Sequence, residues 1–285
     1  MILITGATGT VGRALLDQLA TTDTPLRAMT RHPDRADLPP GVEVVGADLN
    51  DPASLQRAMD GVEKVFLLSG GPDGPRHDGN LATAAARAGV TQIVKLSALT
   101  VGDEDAEDPI TLWHRAGEHA VRDSGVPWTF LRPTAFMSNA LMWAETITSH
   151  DTVYAPYGDG RTATIDPSDV AETAAVTLTG TGHDGRVYPL TGPQALSPQD
   201  QVTILADVLG RPLRYVDAPT ETVRTAMTDG GMPEVLADAV LALMATALRP
   251  SAATVEPAIT TLTGHPARTF ATWAHDHQDA FTTTR

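Results

Sequence analysis

Glycines at positions 6, 9 and 12 stand at the spacing G-x-x-G-x-x-G, directly after the apolar run 1–5 and before an amphipathic stretch, 13–19. A glycine turn between a strand and a helix is a device for holding a diphosphate. Gly6 lets the chain turn tightly out of the strand. Gly9 lets the backbone approach a pyrophosphate, and Gly12 lets the helix pack on the strand. The N–H groups of Thr8, Gly9, Thr10 and Val11 are then expected to face the anion, helped by the positive end of the helix. Glycines serving turn geometry alone are the alternative.

The end of the next apolar run carries a second signal. An acid there ordinarily accepts from the ribose 2′-hydroxyl of NAD. Here the chain reads Arg27-Ala-Met-Thr30-Arg31, with no acid before Asp34. An arginine fork suits a 2′-phosphate better than a diol, so Arg31 predicts NADPH/NADP+ as the cofactor. A solvated surface arginine is the alternative. The chain has no cysteine, which excludes disulfides, thiolate catalysis and cysteine metal ligands. His275 and His277 stand two apart without a third ligand, so no metal is assigned.

The elements that must position these residues follow an α/β rhythm. Expected strands are 1–5, 26–30, 42–45, 62–68, 93–96 and 128–131, and expected helices are 13–19, 51–59, 76–88 and 112–124. Asp51-Pro52 is an N-cap followed by proline, and Gly89 and Gly125 are stop signals. The nearly unbroken apolar run 62–68 is of the kind buried on both faces of a parallel sheet. The expected fold class is therefore α/β, a doubly wound parallel Rossmann-like sheet with ligands outside the carboxyl ends of its strands.

From Pro133 the rhythm breaks. Phe136, Ala140, Met142 and Trp143 suggest a helix with an apolar face. Asp166-Pro-Ser-Asp169 reads as a helix cap and Ser197-Pro-Gln-Asp200 as a capping box. The expected organisation is 1–135 as the dinucleotide-binding region and 136–285 as a smaller, mostly helical substrate lid. The lid is expected to interleave with the sheet in a single structural unit.

Charge narrows the partners. Thirty-five acidic against 20 basic residues give a net charge of −15, which argues against a phosphate-neutralising surface for nucleic acid. No apolar run approaches the roughly 20 residues of a membrane span, and no basic leader precedes the first strand. The expected partner is a small molecule, with neither nucleic acid nor membrane, in the cytoplasm. The oligomeric state is not legible.

Taken together, the segments TGATGTVGR, RAMTRHPDRA, VVGADLNDP, VFLLSGG, IVKLSAL, SGVPWTFLRP, IDPSDVAE and YPLTGP resemble the NmrA-like branch of the atypical short-chain dehydrogenase/reductases. The resemblance implies a nicotinamide cofactor and places Asp48 and Leu49 beside the adenine, although Asp48 could instead cap its own loop. It places Thr134, Ala135 and Phe136 along the nicotinamide, and His77 and Asn80 on the helix facing the cofactor cleft. Ordinary members use a serine, then Tyr-x-x-x-Lys, with the tyrosine as acid. Ser97 matches the serine. Registering Glu118 on the acid that follows the lysine puts His114 in the lysine position and Ile110 in that of the tyrosine. No tyrosine occurs before residue 154.

The proton must then come from elsewhere. Ser97 and His114 are the catalytic candidates: the hydroxyl as a hydrogen-bond donor, the imidazole as a proton shuttle or ribose contact. A helix-surface histidine is the alternative for His114. Phe136, Met137, Met142 and Trp143 are the candidate aromatic substrate wall, with plain core as the alternative. The expected function is NADPH-dependent reduction of a ketone or quinone carbonyl on a bulky aromatic, polyketide-like substrate, as in antibiotic biosynthesis. A phenol on the substrate could assist. The alternatives are a general quinone or azo reductase, and a regulatory protein that senses NADP(H) without turnover.

Overall fold

The computed structural model describes residues 1–282. Its strands are β1 (Ile2–Ile4), β2 (Leu26–Thr30), β3 (Glu43–Gly46), β4 (Lys64–Leu67), β5 (Gln92–Leu96), β6 (Trp128–Pro133), β7 (Thr152–Ala155), β8 (Arg186–Leu190) and β9 (Arg214–Asp217). Its helices are α1 (Thr10–Leu19), α2 (Pro52–Ala58), α3 (Gly74–Ala88), α4 (Pro109–Asp123), α5 (Ala144–His150), α6 (Pro167–Thr179), α7 (Pro198–Leu209), α8 (Thr220–Asp229), α9 (Glu234–Ala245), α10 (Ala258–Thr263) and α11 (Phe270–Asp276).

The chain forms two compact units. The first holds Met1–Pro133, Pro167–Leu190 and Thr261–Gly264; the second holds Thr134–Asp166, Thr191–Thr260 and the chain from His265 onward. In the first, seven parallel strands run in the order β3-β2-β1-β4-β5-β6-β8. Apolar side chains drive this layering. Leu3, Val65, Leu67, Ile93 and Phe130 of the sheet form one core with Leu55 of α2, Leu81 and Ala85 of α3 and Val121 of α4. The helices α1 and α6 pack together, and α6 also meets β4, β5 and β6.

The order reverses between β1 and β4, which is where an open parallel sheet leaves a crevice for a ligand. Thr5 fastens that point. Its one hydroxyl proton lies within reach of the carbonyls of Phe66 (3.1 Å) and Leu68 (3.2 Å), and its oxygen accepts from the N–H of Leu68 at 2.7 Å.

The helix signals act as their chemistry requires. Asp51 accepts from the N–H of Ala53, Ser197 and Asp200 close a full capping box, and Gly89 ends α3 at φ 74°. Three strands lie outside the expected set. β8 extends the sheet, and β7 pairs in parallel with β9 in the second unit. That unit's core gathers Ile147, Val153, Leu205, Phe270, Trp273 and Phe281. The helix expected around Phe136–Trp143 is a tighter 3-10 stretch, Met137–Trp143. Among the described residues no single helix is long and apolar enough to cross a membrane.

Candidate active site

The glycine turn is built for close approach. Gly6 lies at φ +62°, in the left-handed region that favours glycine. A Cβ on Gly12 would stand 2.2 Å from the carbonyl oxygen of Gly6 and 2.9 Å from the Cα of Ala7. Helix α1 therefore touches the turn itself. A Cβ on Gly9 would meet only the Gly6 oxygen, at 3.3 Å. Thr8, Gly9 and Thr10 are exposed. No side chain caps α1, and no carboxylate occupies its first turn, so its positive end is open to an anion. These features fit a dinucleotide diphosphate. One expected donor is corrected: the Gly9 N–H bonds to the Gly6 carbonyl at 2.9 Å and holds the turn instead. The side chain of Val11 is buried in the core.

Beyond the carboxyl ends of β2 and β3, Arg31 and His32 face Gly46, Asp48 and Arg57 across an open cavity of about 570 Å³. The carboxylate of Asp48 accepts from the N–H of Asn50 at 2.8 Å, so it does cap its own loop while lining the cavity. Leu49 is half-buried against the core, and its carbonyl accepts from the side-chain amide of Asn80 at 2.8 Å. His77 reaches the Asn50 side chain at 3.0 Å. The helix α3 and the loop after β3 are thus tied together.

Behind the carboxyl ends of β4, β5 and β6 lie two buried charge clusters. Lys95 of β5 is fully buried and pairs with Asp78 of α3 at 2.7 Å, while Ser69 donates to the other Asp78 oxygen at 2.6 Å. Gly117 of α4 rests on this pair, leaving no room for a Cβ beside Asp78. In the second cluster Glu118 accepts two bonds from Arg132, at 2.8 and 2.7 Å, and one from Arg122 at 3.1 Å. Burial works to raise the Glu118 carboxyl, but hydrogen bonds from Arg132 and Ser97 outweigh it and hold it below its ordinary value.

Ser97 belongs to this second cluster. Its hydroxyl donates to Glu118 at 2.7 Å and the residue is 4% exposed. The expectation that Ser97 donates to a substrate carbonyl is therefore revised: its only proton is held by a carboxylate behind it. His114 lies one helical turn before Glu118. Burial, and then the Lys95 cation, push its imidazole down to about 4 against the opposing pull of Glu118. At neutral pH it is uncharged. It can accept from or donate to a ribose hydroxyl but cannot act as an imidazolium acid. Ile110 sits half-buried in the first turn of α4.

This sets a pH expectation. The folded value of His114 lies below the ordinary 6.5, so neutral His114 contributes stability fully present above that pH and lost as pH falls through about 4. An NMR titration of the imidazole carbon should give a midpoint well below 6. His114→Phe should lower NADPH affinity by roughly tenfold, through one lost hydrogen bond, and leave the pH–rate profile between pH 6 and 9 unchanged in shape. A midpoint near 6.5 would overturn the assignment.

The remaining candidates lie in the second unit. Met137 is 2% exposed and part of that unit's core, so it is structural filling and not wall. Trp143 is half-buried against the same core, Phe136 and Thr134 are half-buried, and Met142 is 55% exposed. His277 stacks on Trp273 and bonds its carbonyl. Among the described residues no group of three potential metal ligands is present. The tyrosine Tyr188, on β8, meets His183 through its hydroxyl at 2.8 Å. Sequence reasoning passed over Arg57, Asp78 and Lys95. Lys95 carried a signal, since a charge inside the apolar run Ile93-Val-Lys-Leu96 has to be paired.

A family model described as NAD(P)H-binding matches residues 6–180. The chain is 47% identical to a (4-alkanoyl-5-oxo-2,5-dihydrofuran-3-yl)methyl phosphate reductase of Streptomyces griseus over 282 residues, which is 99% of each chain. It is 39% identical to an NAD(P)H azoreductase of Xenophilus azovorans, again over 99% of each. The crystal structure of the Escherichia coli quinone oxidoreductase QOR2 complexed with NADPH superposes with a TM-score of 0.87 at 29% identity, covering 98% of this chain and all of that one.

Proposed function

The chain belongs to the NAD(P)H-binding family, in the NmrA-like class of atypical short-chain dehydrogenase/reductases, and from that premise we propose that it is an NADPH-dependent reductase of electron-poor conjugated acceptors. Quinones, azo compounds and enones flanked by a second carbonyl make up that class. One observation carries the reading: the two polar candidates beside the site are poor acids at neutral pH, since the Ser97 hydroxyl donates to Glu118 and burial and Lys95 hold the His114 imidazole low. The resemblance puts Ile110, which has no proton to give, in the place of the family's tyrosine.

NADPH, when bound, supplies a hydride. The substrate must then carry the resulting negative charge without help. An isolated ketone would become an alkoxide, which needs a positioned acid. A quinone becomes a phenolate, and a doubly activated enone becomes an enolate spread over two carbonyls. The compound that gives the S. griseus relative its name contains such an acceptor, a ring double bond conjugated to both a lactone and an alkanoyl carbonyl. An aromatic ketone fits only where a neighbouring phenol supplies the proton. This narrows the expectation of a polyketide-like ketone to its substrate-assisted form.

The protein's own tasks are binding and orientation. The open end of α1 holds the diphosphate, and Arg31 takes the 2′-phosphate. Neutral His114 contacts ribose. Ser97, clamped by Glu118 and Arg132, presents its oxygen as an acceptor rather than its proton. Phe136, Met142 and Trp143 remain the residues proposed to face the substrate.

The test is NADPH oxidation against a naphthoquinone, an azo dye, an alkanoyl butenolide and an aromatic ketone lacking a phenol. Conjugated acceptors should exceed the plain ketone in kcat/KM by roughly a thousandfold, the usual size of a missing general acid. Equal rates on the plain ketone would show that an acid is present. No turnover on any acceptor would leave the NADP(H)-sensing regulator as the better reading.

A further inference from the structure

The cavity beyond β2 and β3 holds more charge than Arg31 alone. Arg57, in the last turn of α2, lines it as well, and so do Asp48 and Asp51. Both arginines are exposed, and neither guanidinium is in an ion pair among the described residues. The helix α2 is locked in place by Ser54, whose hydroxyl donates to the carbonyl of Asp51 at 2.8 Å and accepts from the N–H of Asp48 at 3.0 Å. Residues three apart share a helix face. Fixing Ser54 against the loop after β3 therefore delivers Arg57 to the cavity side. The floor is kept low by Gly46, where a Cβ would stand 3.3 Å from the Pro33 ring.

We propose that Arg57 is the second cation of the 2′-phosphate pocket and that discrimination for NADPH depends on it as much as on Arg31. The argument is charge balance. With Arg31 alone, the carboxylates of Asp48 and Asp51 would leave the cavity net negative, a poor place for a phosphate dianion. Arg57 brings the balance to zero and adds a second planar fork, the geometry that phosphate recognition uses. A 2′-hydroxyl needs neither arginine and tolerates the carboxylates. The proposal rests on the reading that NADPH is the preferred cofactor, with Arg31 at its 2′-phosphate.

The experiment is calorimetric binding of 2′,5′-ADP, 5′-AMP, NADPH and NADH to wild type, Arg57→Ala, Arg57→Lys and Arg31→Ala, without turnover. Arg57→Ala should weaken 2′,5′-ADP and NADPH by about tenfold to a hundredfold, the range of one or two charge-assisted hydrogen bonds. Affinity for 5′-AMP and NADH should hold. Arg57→Lys should fall between the two, and the double variant Arg31→Ala/Arg57→Ala should prefer NADH. Unchanged discrimination in Arg57→Ala, with Arg31→Ala impaired, would overturn the role of Arg57 alone. Wild type binding 2′,5′-ADP no more tightly than 5′-AMP would overturn the proposal together with the NADPH reading beneath it.

Discussion

Gly9→Val is expected to raise the NADPH dissociation constant at least a hundredfold while leaving the melting temperature within a few degrees of wild type. Gly12→Ala, a smaller change, is expected to damage both. The difference follows from what each added side chain meets. At Gly9 the backbone is extended, at φ −85°, and an added Cβ has one neighbour, at 3.3 Å. The fold tolerates valine there, but its methyl groups fill exposed space over the open end of α1. Losing two charge-assisted contacts costs about 3 kcal/mol, which is roughly two decades of affinity. At Gly12 the three nearest atoms are all backbone, the closest at 2.2 Å. None can rotate away, so α1 must move. Overpacking of this kind costs about 1–3 kcal/mol, against about 1 kcal/mol gained from alanine's better helix propensity. Thermal melts and fluorescence titration with NADPH separate the two variants. Normal affinity in folded Gly9→Val would remove the glycine turn from the cofactor site.

The second large effect is expected at the buried pair Lys95–Asp78. Removing either partner strands a charge where water does not reach, at a cost of about 3–5 kcal/mol; at a few degrees per kcal/mol, that lowers the melting temperature by roughly 10 °C. The double variant Lys95→Met/Asp78→Asn removes both charges and keeps a partner for Ser69, and should recover at least half of either loss. Denaturant melts read all three variants. A double variant no better than the singles would show that the pair is not coupled as its geometry implies.

What was legible in the sequence is what repeats locally. The glycine spacing, the apolar strands and the caps at Asp51 and Ser197 each depend on a few adjacent residues, and the structure keeps them. Three strands were not legible. β8 carries half-exposed residues and a proline, and β7 and β9 are four residues each, with 58 residues between Ala155 and Arg214. Their pairing is decided by tertiary packing rather than by pattern. The site divides in the same way. Gly6, Gly12 and Arg31 announce themselves by type and spacing. Ser97 and His114 could be located from the sequence, but their protonation could not. Ser97 donates its hydroxyl hydrogen bond to Glu118, 21 residues away, and His114 is neutral because of burial and a lysine on another element. Met137 sat at the right helical spacing for a ligand wall, and apolar spacing is the same for core.

The return of Pro167–Leu190 to the first unit sets a schedule for synthesis. By the time Pro133 is made, six strands of the sheet exist, yet α6, which packs on α1, and β8, which pairs with β6, do not. Another 57 residues, from 134 to 190, must be added first. At about 5–20 residues per second that is roughly 3–11 seconds. Throughout that interval the open side of β6 offers unpaired backbone groups to any other strand, and the apolar face of α1 has lost its cover. The nascent chain is most exposed to misassembly in this window, and a fragment cut after residue 133 would be held in it permanently.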